Sequence, residues 1–180
     1  MPSDAATTAP SGARRTALAI VSVSAGSVLY TLDANIAAVA LPAIARDLGA
    51  SSVGVVALVS VYNLVLAMAL LPLAAVGQQI GLRRVFVAGL VAYLFAAAIC
   101  LLAAHSLPLL IAARAFQAAA AGAVLSVSIA LVRSLYAPST LGRGLGFNTV
   151  ASASGAALAP ALGGWRIGAA SWPVVFATGV

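Results

Sequence analysis

Lysine and glutamate are absent from this sequence, and only Asp4, Asp33 and Asp47 carry negative charge. Charged residues make up 7% of the 180 positions, against roughly a quarter in an average soluble domain. So little charge cannot cover a water-facing surface, which excludes an ordinary soluble globule and makes hydrocarbon the expected solvent. Cys100 is the single cysteine. It excludes an internal disulfide and any multi-cysteine metal site, and inside an apolar run it reads as a small buried side chain. His105 is the single histidine, too thin a partner set for a histidine metal cluster or a Ser-His-Asp triad. Ser154-Gly155 resembles part of a serine-protease motif, but Ser152 stands where the first glycine belongs. An enzyme is not expected, and neither is a cofactor.

What the sequence has in abundance is apolar residues, 63% of the chain, and arginine, which supplies all nine positive charges and a net +6. A nucleic-acid binder gathers such charge on one face or stripe. Here the arginines stand singly or in pairs between apolar runs, the pattern of charge flanking a membrane. The expected partner is the lipid bilayer, not nucleic acid.

A membrane-spanning helix needs about 20 mostly apolar residues. Five segments meet this: 17–42, 54–76, 85–104, 107–132 and 145–164. A sixth, incomplete one covers 171–180, so the chain reads as truncated within helix six. Residues 1–16 are small and polar and read as a disordered tail. The first apolar run far exceeds the core of a cleavable signal and is read as a retained helix. With the N-terminus in the cytoplasm, Arg14, Arg15, Arg83, Arg84, Arg133 and Arg143 fall inside and only Arg46 and Arg166 outside. The positive-inside rule favours that orientation. The expectation is thus an all-α, multi-pass integral protein of the cell membrane, with loops too short for a soluble domain.

Asp33 and Arg114 lie within expected spans, where an ionisable residue is costly and usually faces a partner or a wet cavity. Asp33 sits about 13 Å along the helix from Pro42, and Arg114 about 10 Å from Leu107 on the same side. They reach one level and pair, either as a site or as a structural bridge. Gln117 shares Arg114's helix face. Asn35 lies roughly 200° round the first helix, off the face of Asp33. Tyr62 and Asn63 fall near the middle of the second span, and all these polar side chains are candidates to line a polar path. In the fifth span Gly155, Ala159 and Gly163 recur every four residues, the spacing that lets another helix approach closely. Pro160 and Gly164 flank them, and Pro160 removes a helical hydrogen bond. Gly77–Arg84 reads as a tight cytoplasmic connection containing Gly77, Gln78, Gly81, Arg83 and Arg84.

Taken in order, these stretches resemble the N-terminal part of a major facilitator superfamily transporter, most nearly the fourteen-helix drug:proton antiporters. Leu32-Asp33-Ala34-Asn35 through Leu41-Pro42 is similar to that family's first-helix motif, and Gly77–Arg84 to the loop between helices two and three. Arg114-Ala115-Phe116-Gln117 resembles the fourth-helix motif, and Gly155–Gly164 the antiporter motif of the fifth. Ser171-Trp172-Pro173 fits the opening of helix six. Gln78 stands where the loop motif carries an acid, Gln79 where it carries a base, and Ala159 and Ala118 where glycines belong. The resemblance implies a six-helix N-terminal bundle whose C-terminal half is missing, and proton-driven export of lipophilic small molecules. It assigns Asp33, Arg114 and Gln117 to coupling, Gly155–Gly164 to a conformational pivot, and Gly81, Arg83 and Arg84 to a cytoplasmic gate. The competing expectation is a non-transporting fragment, or a helper that docks on a partner through the small-residue face of the fifth helix.

Overall fold

A computed structural model of the chain describes residues 10–136, 139, 141–169 and 172–173. It contains α1 (Pro10–Asp47), α2 (Ser52–Ile80), α3 (Leu82–Leu102), α4 (Leu107–Leu135) and α5 (Leu141–Ala169). The helices run past the expected spans at almost every end. Apolar runs mark depth in hydrocarbon, whereas a helix continues while its residues favour it, and Ala, Arg and Gln do. Hence α1 begins at Pro10, within the segment expected as a tail; proline suits a first turn because its missing N–H has no partner to lose there. Residues 1–9 lie outside the described residues, as does the expected sixth span apart from Trp172 and Pro173.

Four helical segments are long and apolar enough to cross a membrane: Ile20–Asp47, Ser52–Ile80, Leu82–Leu102 and Leu107–Ser134. The fifth expected span falls short of that standard. α5 has 29 residues, but Gly142, Gly144, Gly146, Asn148 and Thr149 dilute its apolar character. It lies along α1, as the chief neighbour of that helix.

The connection expected over Gly77–Arg84 shrinks to Gly81 alone. Gly81 caps the end of α2 and the start of α3 at φ 105°, a region that side chains rarely enter. Its N–H bonds to the Gly77 carbonyl at 3.1 Å, and its carbonyl accepts from Val85 N–H at 3.2 Å. At the other end of α2, the Ser51 hydroxyl accepts from Gly54 N–H at 3.2 Å, a side-chain cap.

α4 is the organising helix, with α2 and α3 both packed on it and α1 touching it. Its sequence explains this: Ala113, Ala118, Ala120, Ala121 and Ala123 are all buried and let neighbouring backbones approach. The glycines mark the closest points. A methyl on Gly122 would lie 2.8 Å from the Ala69 Cβ, and one on Gly89 2.8 Å from the Ala123 Cβ. Neither obstacle is a flexible side-chain end. Gly122→Ala is therefore expected to cost about 1–3 kcal/mol by overpacking, read as a lowered unfolding midpoint of the purified protein in detergent. An unchanged midpoint would show that α2 and α4 stand further apart.

Buried apolar residues form three layers. One holds Val85, Phe86, Val127 and Val132. A middle one holds Tyr62, Tyr93, Ala118 and Ala121. The last holds Ile36, Ile44, Leu110 and Trp172. Arg83, Arg84, Arg133 and Arg143 are exposed at the end of the first layer, and Asp47 lies at the opposite end of α1.

Candidate functional site

α1 settles several of its polar side chains against itself. Ser27 Oγ donates to Val23 O at 3.1 Å, Thr31 Oγ1 to Ser27 O at 2.7 Å, and Asn35 Nδ2 to Thr31 O at 2.7 Å. Each bond reaches back one turn, satisfying a polar group without help from outside the helix. Asp33 is on another face and points inward, 1% exposed.

There it meets Arg114 of α4, 2% exposed. Arg114 Nη1 donates to Asp33 Oδ2 at 2.7 Å and to Gln117 Oε1 at 2.7 Å. Gln117 is one turn further along α4, so both acceptors reach the same guanidinium. The guanidinium carbon also lies 4.1 Å from the centre of the Tyr62 ring, contributed by α2. A desolvated cation over an aromatic face gains about 2 kcal/mol. From α3, Cys100 Sγ donates to Gln117 Oε1 at 3.6 Å. Tyr93, also on α3, is buried in the same layer as Tyr62. Four helices thus converge on one charge pair.

A buried ion pair is stable only when further hydrogen bonds offset the loss of hydration. Arg114 meets that condition through carboxylate, amide and ring. Its neighbours do not. Asp33 Oδ1, Tyr62 OH, Tyr93 OH and Gln117 Nε2 are buried without a hydrogen-bond partner among the described residues. Each such atom costs about 1–3 kcal/mol. That cost is repeated around one point.

Of the candidates read from the sequence, Asp33, Arg114, Gln117 and Tyr62 come together. Asn35 and Asn63 do not: both are exposed, and Asn35 is spent on its own helix. Gln78, Gly81, Arg83 and Arg84 are exposed at the junction of α2 and α3. Gly77 is instead buried against α4, where an added methyl would lie 2.7 Å from Val127 Cγ1. In α5, Gly155, Ala159 and Gly163 face inward and Pro160 and Gly164 outward. A methyl on Gly155 would lie 3.1 Å from the Val28 carbonyl oxygen, and one on Gly163 3.4 Å from Ile36 Cγ2. The stripe therefore seats α5 on α1. The sequence reading missed Tyr93 and left Cys100 as inert filling; their spacing of seven on α3, two turns apart on one face, was the available signal.

Fold and site together define a multi-pass helical membrane protein with a charge pair enclosed at its centre. The Major Facilitator Superfamily matches residues 23–180, and the chain belongs to that family. Membership makes it a membrane transporter. No curated protein matches the chain.

Proposed function

We propose that this chain moves lipophilic small molecules across the cell membrane in exchange for protons, in the manner of the drug:proton antiporters its motifs resemble. The observation that carries the reading is the Asp33–Arg114 pair, 2.7 Å apart and at most 2% exposed. Protonating Asp33 removes one charge of the pair and frees Arg114 to rest on Gln117 and Tyr62. Deprotonation restores the bond between α1 and α4. One proton thereby changes how two helices are held, which couples proton binding to conformation.

The remaining assignments follow from this. The exposed Arg83 and Arg84 at the start of α3, Arg133 near the end of α4 and Arg143 at the start of α5 support an orientation with that end, and the N-terminus, in the cytoplasm under the positive-inside rule. The inward stripe of α5 lets α5 and α1 slide or pivot at close range, and Gly81 with Arg83 and Arg84 forms the cytoplasmic gate. Wild-type protein reconstituted in liposomes is expected to move a lipophilic dye against its gradient when a pH gradient is imposed. The movement is expected to stop when a protonophore collapses that gradient. Dye flux that ignores the pH gradient would overturn the proton-coupled reading.

A further inference from the structure

We infer that the central site takes an uncharged, hydrogen-bonding head group of an amphiphile, a carboxamide in the simplest case, in preference to a permanent cation. The inference rests on the transport reading and names its substrate class.

Charge comes first. Asp33 and Arg114 cancel, and among the described residues Asp47 is the other acid, at the far end of α1. The core offers a cation no net negative charge. A quaternary ammonium approaching Asp33 Oδ1 would also come close to the guanidinium already bound to Oδ2 of the same carboxylate, and like charges repel strongly where water is excluded. Displacing Arg114 instead would leave a buried guanidinium on Gln117 and Tyr62 without its counter-ion.

Hydrogen bonding comes second. Tyr62 OH, Tyr93 OH and Gln117 Nε2 are donors, and Asp33 Oδ1 is an acceptor. Among the described residues, all four are without hydrogen-bond partners, on side chains no more than 2% exposed. A carboxamide brings the complement, a carbonyl oxygen to accept and an N–H to donate. A quaternary ammonium brings no acceptor and no N–H. Sites built to pair a polar group discriminate strongly against analogues that leave their own groups unpaired. Around these atoms the middle layer supplies apolar wall from Leu66, Ala118 and Ala121, suited to an alkyl tail.

The test uses two radiolabelled probes of matched length, N-phenyldecanamide and the permanently cationic N-decyl-N,N-dimethylanilinium. Saturation binding is measured on the purified full chain in lipid nanodiscs. The amide is expected to bind at least about tenfold more tightly than the cation. Tyr62→Phe and Tyr93→Phe are each expected to weaken amide binding about fivefold, the effect of one hydrogen bond, and to leave the cation unchanged. Phenylalanine keeps the ring and its packing, and the amide-to-cation ratio within one preparation does not depend on the folded fraction. The inference is overturned if the cation binds as tightly as the amide, or if both phenylalanine variants bind the amide like wild type. Failure of the transport reading looks different. In that case the amide binds as stated while a pH gradient drives neither probe across a membrane, and the head-group assignment still holds.

Discussion

Arg114→Leu is expected to destabilise the folded protein by about 3–5 kcal/mol, the usual cost of stranding one partner of a buried ion pair. Asp33 is 1% exposed, so its carboxylate has no water to fall back on once the guanidinium is gone. Gln117 and Cys100 lose their shared centre in the same step, because Gln117 Oε1 accepts from both Arg114 and Cys100. The double variant Asp33→Asn/Arg114→Leu removes both charges and is expected to regain most of the loss, since neutral replacements of a buried pair are often near neutral in stability. Unfolding midpoints of wild type, the two single variants and the double variant close a double-mutant cycle. A coupling energy near zero would mean that the two side chains do not depend on one another.

The second large effect concerns coupling rather than stability. Asp33→Asn fixes the site in a form that cannot exchange a proton, while keeping the side chain's size. One unit of pH gradient is worth about 1.4 kcal/mol per proton, so wild type is expected to build up to about a tenfold substrate gradient per pH unit for each proton exchanged. The variant is expected to build none and to retain downhill exchange. Uphill transport by Asp33→Asn would show that the proton travels elsewhere.

Much of this was readable from the sequence, for reasons that differ by residue. The level shared by Asp33 and Arg114 follows from helix rise alone, because both are counted from the same side of the membrane. Gln117 follows from a spacing of three on a helix. Asn35 and Asn63 show where counting fails: a polar side chain in an apolar helix can face in or out, and Thr31 offered Asn35 a partner within its own helix. The Gly77–Arg84 segment carries glycines and charges and reads as a loop, yet one left-handed glycine suffices to turn the chain. Tyr93 was hidden because a tyrosine in an apolar run is normally core. Only the packing of α2 and α3 on α4 puts it in one buried layer with Tyr62. The small residues that make α4 central are ordinary in composition, and what they permit shows only when Gly122 is seen against Ala69.

The central claim is that a proton comes and goes at Asp33. With no glutamate and only three aspartates in the chain, infrared difference spectroscopy of the reconstituted protein can follow that carboxyl with little overlap. When the pH gradient drives turnover, the band of a protonated carboxyl shielded from water, distinct in frequency from those of water-exposed carboxyls, is expected in wild type and to be missing in Asp33→Asn, while Asp4→Asn and Asp47→Asn retain it. A spectrum in which Asp33→Asn shows the same band as wild type would contradict the account.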